Sequence, residues 1–138
     1  MAQIKPAAIR NLKRTAIVTA VFLAGIFAAS YLIKGQGLSG PLAYGVAIIP
    51  GLAMAGLFWS SGKAIAETED EFMRMLAVRQ HLIAAGFAMA VASAWGTLEM
   101  FDLVEHVGAF YIVVLWSIGI FVGMIVNRIT HGVWGQCP

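Results

Sequence analysis

Glu99 is the one carboxylate that falls inside a long apolar stretch of this chain, and Asp102 and Glu105 follow it within about two helical turns. In that setting a carboxylate has two uses. Burial and neighbouring negative charge both favour the protonated form, so Glu99 could couple to protons. Alternatively it snorkels to the interface and caps the turn. A second group of charges, Glu69, Asp70, Glu71 and Arg74, precedes the same apolar stretch, with Arg79, Gln80 and His81 at its mouth. Asp70 and Glu71 stand four and three residues before Arg74, within reach for helical ion pairs. His81 precedes one apolar stretch and His131 follows the next, which places both near the same face of a membrane, where two imidazoles can hold a haem or a metal. Neither has a second histidine at helical spacing, and His106 falls at the opposite end. The pattern implies no metal, no cofactor and no catalytic residue.

The elements that must position these groups are four apolar blocks, Ala16 to Ile33, Leu42 to Ser60, Leu82 to Met100 and Val107 to Val126. Each is close to the ~20 residues that a helix needs to cross a bilayer. Composition agrees: 60% of residues are hydrophobic and 12% charged, against roughly 25% charged in soluble domains. Mean hydropathy is +0.84. A soluble fold would have to bury four helices that are apolar on all faces inside a chain too small to cover them. The expected fold class is therefore an all-α membrane protein, a single domain of four transmembrane helices arranged as two antiparallel hairpins. One cysteine, Cys137, rules out an intramolecular disulfide or a CxxC pair. A net charge of +2 is too small to suggest a nucleic-acid partner.

Charge distribution predicts orientation. With the first block leaving the cytoplasm, Lys5, Arg10, Lys13, Arg14, Lys63, Arg74, Arg79 and Arg128 stay inside and Lys34 alone lies outside, eight of the nine basic residues. Both termini are then cytoplasmic, as expected in a bacterial inner membrane. Tyr31, Tyr44 and Tyr111 fall near outer ends of spans and Trp59 at an inner end, where amphipathic rings are favoured. A signal peptide competes as a reading of the first block. That block is longer than a signal core and lacks a clear small-residue cleavage site, so the first helix is expected to be retained.

The short connections Lys34 to Pro41 and Phe101 to His106 force antiparallel neighbours. Within lipid, such helices associate through close backbone approach. Small residues recur at four-residue spacing at Ala43, Ala47, Gly51 and Ala55, at Ala84, Ala88, Ala92 and Gly96 with a second row at Gly86, Ala90 and Ala94, and at Gly119 and Gly123. These rows predict packing faces within the chain or toward a second copy. Pro50 before Gly51 predicts a kink in the second helix. Asn127 and Arg128 are expected to anchor the fourth, with Asn127 bonding across the helices. Trp95 and Trp116 are expected to pack.

The third helix is expected to begin well before its span. Thr68 as N-cap with Glu71 three residues on reads as a capping box, and a helix from Glu69 to Phe101 would be roughly 50 Å long. Residues 69–81 then project into the cytoplasm, with Phe72, Met75 and Leu76 as an apolar face. Asp70, Glu71, Phe72 and Arg74, followed after a span by Gly96, Thr97, Leu98 and Glu99, resemble a pattern found in small four-helix bacterial inner-membrane proteins of no assigned activity. The resemblance covers residues 69–99 and implies a multi-pass inner-membrane protein without implying a chemistry. The functional expectation is a small non-catalytic accessory, regulatory or scaffold subunit in contact with the bilayer, acting as a homo-oligomer or in a larger complex. The alternative is an oligomeric small-molecule or proton-coupled transporter or channel that uses Glu99 and Asp102 at its outer mouth.

Overall fold

The computed structural model describes residues 6–135, so Lys5 and Cys137, which entered the charge and disulfide arguments, lie outside the described residues. The described residues form four helices, α1 (Pro6–Ala29), α2 (Pro41–Ala66), α3 (Glu71–Met100) and α4 (Tyr111–His131), and no strand. All four are long and apolar enough to cross a membrane. They group into two compact units, one ending at Glu67 and the other beginning at Thr68.

In the first unit α1 starts ten residues before its apolar block and runs on through a π-helical segment, Ser30–Gly35. Gly37 and Gly40, at φ 68° and 77°, then turn the chain into α2, whose first residue is Pro41. Proline fits there because its missing N–H belongs to a position without an intrahelical partner. Pro50 lies inside α2, which nevertheless continues as helix on both sides.

The α1–α2 contact is made by small residues. A Cβ on Gly25 would lie 3.1 Å from Ile49 Cγ2 and 3.3 Å from Pro50 Cγ, and one on Gly56 would lie 3.2 Å from Val18 Cγ1. Ala53 and Ser60 are buried on the same face of α2. Of the row Ala43, Ala47, Gly51 and Ala55, Ala43 is half-buried and the other three are exposed, so this row is not the α1–α2 contact. Small side chains occur on several faces of so alanine-rich a helix, and the contact face is selected by Gly56 and by the polar Ser60 instead.

In the second unit α3 packs against α4 through small residues. Ala84 and Ala88 are buried with Leu76, Ala77 and Gln80, facing the buried Gly119, Gly123 and Asn127 of α4. A Cβ on Gly119 would sit 2.7 Å from both the Cα and the carbonyl oxygen of Ala84, and one on Gly123 would sit 2.8 Å from the carbonyl oxygen of Gln80. These are backbone-to-backbone approaches that only glycine permits. Farther along α3 the row runs off the contact: Ala92 is half-buried and Gly96 exposed, as are Gly86, Ala90 and Ala94.

The start of α3 differs from the capping box expected at Thr68. Asp70 is the N-cap, in extended conformation, and its Oδ1 accepts from the backbone N–H of Phe72 at 2.8 Å and of Met73 at 3.1 Å. Glu71 is then the first helical residue and cannot be the third position of a box. The helix still spans 30 residues, about 45 Å at ~1.5 Å per residue, longer than a hydrocarbon core of ~30 Å. It is not alone in this, since α1 and α2 also run past their apolar blocks.

The other end of α3 closes with a left-handed residue. The N–H of Leu103 donates to the Leu98 carbonyl and that of Asp102 to the Glu99 carbonyl, each at 3.0 Å, with Asp102 at φ 55°. This is the reciprocal C-terminal cap in which glycine is the usual occupant. Asp102→Gly is accordingly expected to stabilise the α3–α4 unit by about 0.5–1 kcal/mol, and Asp102→Val to destabilise it by at least that much. Unfolding midpoints of helicity in mixed detergent would show the opposite signs.

Candidate functional site

Glu99 is the centre of the α3–α4 connection. Its Oε1 accepts the backbone N–H of Val107 at 2.7 Å and its Oε2 faces Nδ1 of His106 at 3.2 Å. A carboxylate can only accept from the amide, and the imidazole bond is satisfied when His106 carries its proton on Nδ1. Both oxygens are therefore committed to the loop. The apolar block expected from Val107 becomes helix only at Tyr111, past this contact. Asp102 does not join Glu99 as a second carboxylate with a shared ligand; its backbone forms the cap just described. Among the described residues no group of three or more His, Cys, Asp or Glu side chains is arranged to hold a metal.

The other end of the α3–α4 unit is polar and tightly packed. Asn127 is fully buried, and its Nδ2 donates to the Leu76 carbonyl at 3.0 Å, the cross-helix bond expected of it. Its Oδ1 is buried without a hydrogen-bond partner among the described residues. Gln80 Nε2 donates to the Ile120 carbonyl at 3.3 Å. After α4, Gly132 and Gly135 take left-handed conformations, and the chain returns so closely that a Cβ on Gly135 would lie 2.7 Å from Asn127 Nδ2. Arg79 Nη1 donates to Thr130 Oγ1 at 2.9 Å, so this predicted site residue ties α3 to the end of α4. Arg128 bonds the Gly132 carbonyl and stacks its guanidinium over Trp134 at 5.8 Å.

The histidines do not come together. His81 Nδ1 lies 2.9 Å from the Ala77 carbonyl, which can only accept, so the proton is on Nδ1; its ring lies 5.9 Å from that of Trp116. His131 packs edge-on against Phe72 at 5.7 Å. Phe72 and His81 are nine residues apart on α3, about 13 Å along the axis at ~1.5 Å per residue. A shared haem or metal has no geometry here. Arg74 pairs with Glu71 at 3.1 Å, while Asp70 is used as the cap, so these two acids are spent on their own helix. Of its expected apolar face, Leu76 is buried and Phe72 and Met75 are partly exposed.

A polar cluster also joins α1 to α2, at basic residues that charge counting assigns only to topology. Arg14 on α1 donates from Nε to Ser60 Oγ at 3.2 Å and from Nη2 to Asn11 Oδ1 at 2.9 Å and to the Ser60 carbonyl at 3.3 Å. Ser60 also shares a hydrogen bond with Thr15 at 3.1 Å and is fully buried. Arg10 and Arg14 flank Glu67, at 3.4 and 3.9 Å. Trp59 lies under both Arg14, at 5.7 Å, and the Lys63 ammonium, at 5.1 Å, within cation–π range. The signal available in the sequence was Ser60 with Thr15, two hydroxyls where the basic ends of two spans meet.

Glu67 lies beyond the apolar block of α2. Partial desolvation pushes its carboxyl up, but the hydrogen bond from Arg10 and the charges of Arg10, Arg14 and Lys63 outweigh it and hold it below the ordinary 4.5. A carboxyl depressed on folding contributes stability above its unfolded value and loses it as pH falls through the lowered one. Resistance of the α1–α2 unit to thermal unfolding should therefore fall as pH drops below about 4.5, and Glu67→Gln should flatten that dependence.

Comparison of the chain with protein-family models, with curated proteins and with solved structures returned no match.

Proposed function

We propose that this protein is a non-catalytic, multi-pass membrane subunit that works through helix–helix contacts, as an accessory, regulatory or scaffold component of a homo-oligomer or a larger complex. On this reading α1 with α2 and α3 with α4 form two antiparallel hairpins in a bacterial cytoplasmic membrane. Both termini are cytoplasmic, and the acidic head of α3 projects into the cytoplasm. The falling order of contacts supports the pairing: Arg10, Arg14, Val18 and Gly25 meet Glu67, Ser60, Gly56 and Pro50 in turn. The Asp-Glu pattern of Asp70 and Glu71 with Gly96 to Glu99 belongs to the same reading, as the mark of a small inner-membrane family.

The observation that carries the proposal is the state of Glu99. A proton-coupled carrier needs a carboxylate free to exchange protons with a path. In this chain the carboxylate of that span binds Val107 and His106 and so organises a connection. Helix contacts, in contrast, have surface to work with, since Gly86, Ala90, Ala94 and Gly96 are exposed on α3 and Ala47, Gly51 and Ala55 on α2. In vesicles reconstituted with the full chain, proton flux should match that of protein-free vesicles and Glu99→Gln should leave it unchanged. Flux that depends on the wild-type chain and disappears in Glu99→Gln would replace this proposal with the transporter.

A further inference from the structure

We propose that the basic end of the α1–α2 unit is a binding site for the headgroup of an anionic phospholipid, with Lys63 and Lys13 as its phosphate-facing cations. The inference rests on the membrane placement above and goes beyond it, because bilayer residence alone requires no selective lipid.

Charge comes first. Arg10, Lys13, Arg14 and Lys63 gather at this end, and Glu67, the residue that follows α2, is the one carboxylate among the described residues of this unit, which leaves a surplus of three positive charges. The arginines are largely used. Arg14 is only 18% exposed, and all its nitrogens face Ser60, Asn11 or Glu67, so it is a fixed strut. Arg10 leans on Glu67. Lys63 is different: its ammonium sits over the Trp59 ring, and its stem and that ring are exposed. Two cations share this one indole, Arg14 and Lys63, and the single carboxylate of Glu67 is set against the charges of Arg10, Arg14 and Lys63 together, so the cluster keeps a net positive charge that a further anion would offset.

The second line is the order of residues along α2. At 100° per residue, Leu52, Trp59 and Lys63 fall within about 40° of one another around the helix, with Ile48 beside them. Ile48, Leu52 and Trp59 are 60%, 68% and 62% exposed. Read toward the basic end, the stripe runs from bare aliphatic surface through an amphipathic ring to an ammonium. That is the polarity sequence of a phospholipid, acyl chain to glycerol region to phosphate. Lysine suits the last place, as a compact point charge with three donors. Lys13, exposed on α1 one residue from Arg14, adds to the same field.

The test uses the full chain, purified and exchanged into phosphatidylcholine or into mixed phosphatidylcholine–phosphatidylglycerol vesicles, with lipid retained per chain counted by native mass spectrometry. Wild type should retain phosphatidylglycerol in preference to phosphatidylcholine. Lys63→Gln should cut that preference about fivefold, the factor to which ~1 kcal/mol per basic residue at an anionic surface converts, and Lys13→Gln should cut it further in the double variant. Lys34→Gln, in the π-helical segment that follows α1, should leave it unchanged. Equal retention of the two lipids, or wild-type preference in the double variant, would overturn the site. So would release of the lipid by inorganic phosphate at matched ionic strength, because a phosphate alone would then suffice. A chain that failed to float with either vesicle would instead contradict the membrane placement, so the two failures are distinguishable.

Discussion

Gly119→Val is expected to separate α3 from α4. The added Cβ would start 2.7 Å from the Cα and carbonyl oxygen of Ala84, and a backbone cannot swing aside as a side-chain end can. Relief requires the helices to part by more than an ångström or to slip in register. Both options also move Gly123 away from Gln80, whose carbonyl a Cβ at 123 would meet at 2.8 Å, and stretch the Asn127 bond to the Leu76 carbonyl. Overpacking of this kind costs about 1–3 kcal/mol for modest insertions, and lost dispersion along the contact adds to it. A short thiol-specific cross-linker between cysteines placed at positions 81 and 116, whose native rings lie 5.9 Å apart across the two helices, would report the separation in an otherwise cysteine-free chain. Wild-type background should link efficiently, Gly119→Val should not, and helicity should stay unchanged because each helix satisfies its own backbone in lipid.

The second large effect is on the connection. Glu99→Ala removes the acceptor of the Val107 amide and the partner of His106 in one step. Hydrogen bonds to a charged group are worth about 1.5–3 kcal/mol, so exchange protection of the Val107 amide should fall roughly ten- to a hundred-fold. Glu99→Gln keeps an oxygen for Val107 and loses the charge opposite His106, and should fall between wild type and alanine. If the alanine variant protects Val107 as well as wild type does, Glu99 does not organise this loop, and its availability for a proton path must be reconsidered.

These two sites show what hydropathy and spacing can carry. The four helices were legible because twenty-residue apolar blocks have few other physical uses, and Gly119, Gly123, Ala84 and Ala88 were legible because i, i+4 small residues define a face. Ala47, Gly51 and Ala55 follow the same rule and are exposed, since an alanine-rich helix offers several such faces and only its neighbour chooses among them. The cap of α3 was ambiguous for a local reason: Thr68 and Asp70 are both good caps, and the carboxylate of Asp70 reaches two amides where a hydroxyl would serve one. Glu99 was visible as an unusual residue, but its partner is a backbone amide eight residues on, which leaves no mark in residue types. Arg14 shows the largest gap. Positive-inside counting explains why a cation stands at that end and says nothing of its bonds to Ser60, 46 residues away.

The most direct test of the account is the mass of the intact particle released from native membranes in mild detergent. Function through helix contacts predicts a particle heavier than one 14.7 kDa chain, either a whole-number multiple of it or a fixed-ratio complex with a second membrane protein, and dissociation when Gly86, Ala90 and Ala94 are replaced by leucine. A particle of one chain with its detergent and lipid, unchanged by those replacements, would contradict it.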